Sequence, residues 1–307
     1  MSKDHDETSL TRCGFAALVG APNAGKSTLL NQLVGAKVSI VSRKAQTTRA
    51  MVRGIAIEGE AQIVLVDTPG IFKPKRRLDR AMVASALSGA ADADVIALLV
   101  DARKGLDEEV EAILAQLAAS KTPKILVLNK VDIIAREKLL ALATELNTRG
   151  AFEETFMVSA LTGDGVSDLR KALARRMKPS PWLYPEDQLS DVPLRLLAAE
   201  ITREKIYDRL HDELPYQSTV ETDSWTQQKD GSARIEQTIF VARDGQKRIV
   251  IGEGGRTIKA IGQAARLEIA EAADQPVHLF LFVKVREKWE DDPERYREMR
   301  LEFPKNE

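Results

Sequence analysis

The feature that most limits how this chain can fold is the octapeptide Gly20-Ala21-Pro22-Asn23-Ala24-Gly25-Lys26-Ser27, which fits the pattern G-x-x-x-x-G-K-[ST]. It follows the apolar run Phe15–Val19 and precedes a helical pattern that begins at Ser27. A glycine-rich turn between a strand and a helix commits this stretch to a βα unit. Its inward-turned backbone N–H groups, backed by the helix dipole, make a cradle for phosphates. Lys26 is expected to reach the β- and γ-phosphates and Ser27 to ligate Mg²⁺, with Thr28 counted among the cradle residues.

The rest of the first 180 residues repeats this alternation. Strand candidates fall at Gly54–Ile57, Ile63–Val66, Val95–Val100, Ile125–Leu128 and Phe156–Ser159, and helical patterns at about 78–91, 107–119, 134–148 and 165–177. Strands alternating with helices predict an α/β domain, a mostly parallel sheet with helices on both faces, that binds ligands at the carboxyl ends of its strands. Three prolines within residues 178–185 predict a linker over 179–190. Helical periodicity then resumes, with Asp191 as its expected N-cap. An α-β-β-α-α-β order follows: strands near 216–225 and 233–242, helices near 246–251 and 256–273, and a strand at 277–285. The expected division is a disordered stretch over 1–11, a first domain over 12–178, the linker, a second domain over 191–290, and a tail over 291–307 in which the acidic run 290–294 is a solvated turn.

Composition narrows the functional classes. With 307 residues, 44% hydrophobic and 30% charged, the chain has the size and balance of a two-domain globular protein. No stretch approaches the roughly 20 apolar residues that span a bilayer. The acidic, polar start predicts no signal peptide, and the single cysteine, Cys13, allows no internal disulfide; both lead to the cytoplasm. His5, His211 and His278 are too scattered for metal ligation. Residues 181–307 carry 19 basic and 25 acidic residues, so bulk charge gives no reason to expect nucleic acid there.

Base selection is expected from Asn129-Lys130-Val131-Asp132, at the carboxyl end of a strand. A buried carboxylate at Asp132 can accept from guanine N1–H and the 2-amino group together, and adenine offers neither donor. Ser159-Ala160, after the next strand, is expected to give a backbone N–H to guanine O6. Asp67-Thr68-Pro69-Gly70 follows the strand Ile63–Val66; Asp67 is the carboxylate expected near Mg²⁺, and the Gly70 N–H the group expected at the γ-phosphate. Loss of that phosphate would release the loop. In Gln46-Thr47-Thr48-Arg49, Thr48 is favoured over Thr47 to close on the metal. The nucleotide site is thus residues 20–28, 67–71, 129–132 and 159–160. Lys26, Thr48 and Gly70 are its catalytic candidates, and Ser27, Thr48 and Asp67 its metal ligands.

In the second domain, Ile251-Gly252-Glu253-Gly254-Gly255-Arg256 joins two helical patterns. A G-x-x-G turn lets a nucleic-acid backbone approach closely, the device of KH domains. From Arg243 to Arg266 six basic residues face two acidic ones, a local excess inside an acidic domain. Lys247, Arg248, Ile251, Gly252, Glu253, Gly254, Gly255, Arg256 and Lys259 are the RNA-binding candidates. Glu253 stands where a basic residue would help phosphate binding more.

The P-loop, QTTR, DTPG, NKVD and SAL order resembles the translation-factor-related class of small GTPases. With the GxxG domain added, nearly the whole chain, about 12–290, is similar to the Era-like GTPases, which carry a C-terminal type II KH domain. The resemblance implies a P-loop GTPase fold followed by an α+β type II KH domain. It implies GTP and GDP with Mg²⁺, and K⁺ as a further candidate. Its implied partners are the 3′ end of 16S rRNA and the 30S subunit, for a monomer with peripheral inner-membrane association. Ile71 stands where many GTPases place a water-orienting glutamine, so slow intrinsic hydrolysis is expected. Phe72 replaces the histidine more usual in this family. A GTP-regulated membrane or protein adaptor with incidental hydrolysis is the alternative reading.

Overall fold

The computed structural model describes residues 11–44, 46–287 and 289–304. It divides into two compact units: the described parts of Met1–Ala36, Val52–Ile71 and Ala86–Asp191, and those of Lys37–Met51, Phe72–Ser85 and Val192–Glu307. Of the expected disordered stretch, residues 1–10 lie outside the described residues. Thr11 is held, its hydroxyl donating to the Ser180 carbonyl at 3.1 Å.

The first unit is built on strands β1 (Arg12–Gly20), β2 (Val52–Glu58), β3 (Ala61–Asp67), β4 (Val95–Asp101), β5 (Lys124–Asn129) and β6 (Thr155–Val158). They lie in one sheet in the order β2-β3-β1-β4-β5-β6, and among these six strands β2 alone is antiparallel to its neighbour. Helices α1 (Lys26–Val34), α2 (Arg77–Ala91), α3 (Glu108–Leu117), α4 (Arg136–Arg149) and α5 (Val166–Arg176) connect them, the first residues of α2 being counted with the second unit. Strands β3 and β4 are buried along their whole length. That is why they read as unbroken apolar runs rather than alternating ones. Parallel registry brings the ends of β1, β3, β4 and β5 to one edge, where Gly20, Asp67, Asp101 and Asn129 stand.

The proline-rich segment expected as a free linker is instead part of this unit. Lys178–Pro179 forms a short strand, β7, antiparallel to the start of β1. The Leu189 carbonyl accepts from Ile55 N–H at 2.9 Å. The cause is Gln62, a polar residue fully buried in β3. Its amide oxygen accepts from the N–H groups of Leu183 and Tyr184, and its nitrogen donates to the Tyr184 carbonyl. An amide buried in a sheet must find such partners, and the passing chain supplies them. Asp191 is not the N-cap expected of it; it pairs with Arg53, and Pro193 takes the cap position.

In the second unit, α6 (Leu194–Arg209), α7 (Asp244–Ile251) and α8 (Arg256–Ala272) accompany strands β8 (Ser218–Gln227), β9 (Ala233–Val241) and β10 (Val277–Val285). The sheet order is β10-β9-β8, with β9 and β10 parallel. This is the expected α-β-β-α-α-β succession. Ile206, Ile239, Val241, Val250 and Ile261 form one part of its core.

Two segments that read as belonging to the first domain fold with this second unit. Ile40 packs among Ala198, Ile201, Ala265 and Ile269. Leu78, Ala81 and Met82 pack with Trp289, Tyr296 and Leu301. Asp291, Pro293 and Glu294 are exposed, as expected of a solvated turn, but the residues on either side carry a buried cluster, with α9 (Pro293–Glu298) in the tail; residues 305–307 lie outside the described residues. No helix among the described residues is long and apolar enough to cross a membrane.

Candidate functional site

The cradle begins where β1 ends. Gly25 caps the N-terminus of α1 with φ at 101°, a conformation that favours glycine. A Cβ there would also fall 2.2 Å from the Asn129 amide nitrogen. Lys26 Nζ donates to the carbonyls of Gly20 and Ala21, both at 3.0 Å, folding back over the loop. Burial pushes its pKa down to about 8, against the opposing pull of Asp67 and Glu109. The Ser27 hydroxyl donates to the buried Asp67 carboxylate at 2.6 Å. One hydroxyl and one carboxylate oxygen side by side are hard donors of the kind Mg²⁺ takes, together with phosphate and water. Among the described residues there is no cluster of three His, Cys, Asp or Glu side chains that would hold a metal unaided.

The DTPG loop lies on the cradle. The Thr68 hydroxyl donates to the Leu18 carbonyl at 2.8 Å, and Ile71 N–H to the Gly20 carbonyl at 3.2 Å. A Cβ on Gly70 would stand 2.9 Å from Pro22, so only glycine allows this approach. The Ile71 side chain is buried among Ala17, Val19 and Ala21 in the core of the first unit.

At the base-selecting end, the fully enclosed side chain of Asn129 ties three loops. Its nitrogen donates to the Ala24 carbonyl at 2.8 Å, while its oxygen accepts from Lys130 N–H at 2.8 Å and Ala160 N–H at 2.9 Å. In this arrangement the Ala160 N–H expected for guanine O6 is engaged by Asn129, and Ser159 N–H is held by the Asp164 carbonyl at 3.0 Å. Asp132, expected buried, is exposed in the short 3₁₀ turn Val131–Ile133. The desolvation that makes a carboxylate discriminating has to come from the purine itself. Lys130 adopts φ of 68° and donates to the Asn23 carbonyl at 2.6 Å and to Asp101 at 2.7 Å.

Asp101 and its partner Arg103 are site residues that motif reading missed. The signal was there in a carboxylate at the end of an apolar strand. Burial alone would raise the Asp101 pKa, but hydrogen bonds from Arg103 and Lys130 outweigh it and hold it at about 2.

Thr47 and Thr48 fold with the second unit. The Thr47 hydroxyl donates to the Lys44 carbonyl at 2.8 Å, and buried Arg203 of α6 donates to the Thr47 carbonyl at 2.6 Å. Arg49 is a second anchor that sequence reading passed over. Its guanidinium donates to the carbonyls of Ser218 and Tyr216, each at 2.9 Å, and lies over the Trp289 ring.

At the second candidate site, α7 and α8 meet in a turn whose Gly252, Gly254 and Gly255 have φ of 73°, 60° and 76°. A Cβ on Gly252 would meet the Thr257 hydroxyl at 2.2 Å, whereas Gly254 and Gly255 face open space. Those two glycines offer bare backbone to a ligand. Arg248 and Lys259 are exposed beside them, with Lys247 and Ile251 half-buried. Glu253, expected to weaken phosphate binding, pairs with exposed Arg256.

Comparison with known proteins follows the same division. A family model described as 50S ribosome-binding GTPase matches residues 15–130, and a KH-domain model matches residues 213–290. GTPase Era of Afipia carboxidovorans is 72% identical over 295 residues, covering 96% of both chains. GTPase Era of Brucella suis is 64% identical over 298 residues, covering 97% of this chain and 96% of its own. Among solved structures, Aquifex aeolicus Era bound to GDP and AlF4⁻ superposes with a TM-score of 0.89 at 39% identity, covering 94% of this chain and 98% of that one. An Era in complex with MgGDPNP and nucleotides 1506–1542 of 16S ribosomal RNA matches equally well, with the same coverage, identity and TM-score.

Proposed function

This chain belongs to the Era family of GTPases, and from that premise we propose that it is a GTP-hydrolysing switch that binds the single-stranded 3′ end of 16S rRNA through its KH domain and assists 30S subunit assembly. The observation that carries the nucleotide half is the Asn129 amide, which joins the phosphate cradle, the NKVD turn and the SAL loop into one rigid frame. The open Gly254-Gly255 backbone beside Arg248 and Lys259 supports the RNA half.

In this reading residues 20–28 cradle the phosphates, Lys26 gives up its carbonyl partners for phosphate oxygens, and Gly70 N–H meets the γ-phosphate. Ser27 and Asp67 would hold Mg²⁺, with Thr48 as the switch ligand; the ion, when bound, neutralises charge that builds on the phosphate oxygens. Asp132 reads guanine. The burial of Ile71 removes the usual water-orienting position, so hydrolysis by the protein alone is slow and rises with RNA or ribosomal particles. The protein acts as a cytoplasmic monomer, and any inner-membrane contact is peripheral.

Two experiments test this. Sequencing of RNA crosslinked to the full-length protein in cells should recover the 3′ end of 16S rRNA; its absence from the crosslinked pool would overturn the RNA reading. Asp132→Asn should move nucleotide preference from GTP toward xanthosine triphosphate in competition binding, because an amide donor suits the 2-oxo group. Unchanged preference for GTP would remove Asp132 from base recognition.

A further inference from the structure

The outer face of the KH-domain sheet breaks the pattern that the rest of the sheet obeys. Along β10, Leu279, Leu281, Val283 and Val285 pack into the core, while His278, Phe280, Phe282 and Lys284 point the other way. A half-buried strand ordinarily keeps polar residues on its solvent side. Here two phenylalanines, 41% and 49% exposed, stand two residues apart on the edge strand. Phe240, on the neighbouring strand, is covered by the guanidinium groups of Arg286 and Arg295, 5.9 and 5.1 Å from its ring centre. Among the described residues Phe282 has no such cover, and Phe280 stays 41% exposed although one guanidinium lies over its ring.

Their surroundings carry positive charge. Arg234, opposite His278 in the β9–β10 register, stacks over the Phe280 ring at 4.3 Å. Arg234, Lys229 and His278 line, with Phe280, a hollow of about 550 Å³. The two acids nearby are engaged: Glu236 pairs with Arg234 at 2.7 Å, and Asp230 accepts from the Ser232 hydroxyl at 2.7 Å and its N–H at 3.0 Å. Lys229, at the hollow, and Lys284, beyond Phe282, make no ion pair among the described residues. Two partly exposed aromatic rings, one of them beneath an arginine, bracketed by uncommitted ammonium groups are a combination that holds single-stranded nucleic acid: bases stack on the exposed aromatic surface and phosphates meet the cations. A protein partner would need a wider apolar core than two rings provide.

We propose that this face is a second single-stranded nucleic-acid surface, separate from the GxxG turn, on which Phe280 and Phe282 stack unpaired bases. It rests on the RNA-binding reading for the kind of strand it receives. It would extend the bound length of RNA past the few nucleotides that a GxxG turn clamps.

The test uses the full-length protein and a fluorescein-labelled RNA of nucleotides 1506–1542 of 16S rRNA. Three proteins are compared: wild type, Phe280→Ala/Phe282→Ala, and Gly254→Asp in the GxxG turn. The double variant should bind about tenfold more weakly or worse, the scale of losing one or two stacked bases, with an unchanged melting temperature. Crosslinks from 4-thiouridine placed along the same RNA should map to β10 in the wild type. Wild-type affinity in the double variant, or crosslinks confined to residues 247–259, would overturn the proposal while leaving GxxG binding intact. A change of oligomeric state in the double variant with RNA affinity unaltered would overturn it in favour of a protein contact. Failure of the wild type to bind the fragment would instead sink the RNA reading itself, and Gly254→Asp should then have no effect either.

Discussion

Asn129 shows how one buried amide can do the work of a hinge pin: its nitrogen fixes the cradle at Ala24 and its oxygen fixes Lys130 and Ala160. Asn129→Ala leaves those three backbone groups without their partner in a buried place, at about 1–3 kcal/mol for such a loss. The expected outcome is a lower denaturation midpoint for the first unit and GTP binding weakened at least tenfold by calorimetry. Equal affinity would mean the frame is held elsewhere. The motif was legible in the sequence, but this use of it was not, because spacing cannot say whether an amide faces the base or the backbone. Lys26 makes a pH prediction. Its pKa near 8 lies below the ordinary 10.5, so between those values the folded chain binds fewer protons than the unfolded chain, and stability rises with pH across that window. Phosphates set beside Nζ restore the charge. GTP binding near pH 9 should therefore take up a proton, read from calorimetry in buffers of different ionisation enthalpy; no uptake would contradict the assignment.

Strands and helices of both units stand close to where periodicity puts them, because each is long or apolar enough for local pattern and burial to agree. The departures come from residues whose partners are distant in sequence. The strap over 179–191 looks like a linker by its prolines, yet buried Gln62 fixes it. The acidic run is solvated at Asp291, Pro293 and Glu294 as its composition suggests, but Trp289 and Tyr296 on either side are 1% and 0% exposed. Trp289 also donates to the Gln217 carbonyl at 3.0 Å and lies under Arg49. Trp289→Ala should cost the second unit about 3–5 kcal/mol, the range for large aromatic truncations in a core. Chemical denaturation followed through that unit measures it, and a loss under 1 kcal/mol would place the tail outside the cooperative core.

At the scale of the whole chain, the interleaving of the two compact units bears most on function. The segment with Thr47 and Thr48 reads as a loop of the nucleotide domain, and yet it is fastened by Arg49, Arg203 and Ile40 into the unit that carries the GxxG turn. In the proposed function this segment would respond to the γ-phosphate, and its place in the unit with the GxxG turn is the ground for expecting nucleotide state and RNA affinity to be coupled. Fold class and the guanine and GxxG motifs were legible beforehand; this shared segment was not, since charge and periodicity carry no trace of which unit a short loop joins. The most direct test is the affinity of the full-length protein for nucleotides 1506–1542 of 16S rRNA, measured by fluorescence anisotropy with a non-hydrolysable GTP analogue and again with GDP. The account predicts that the two affinities differ by roughly 5–150-fold, the usual range of coupling between sites, with tighter binding under the GTP analogue. Identical affinities under the two nucleotides would contradict it.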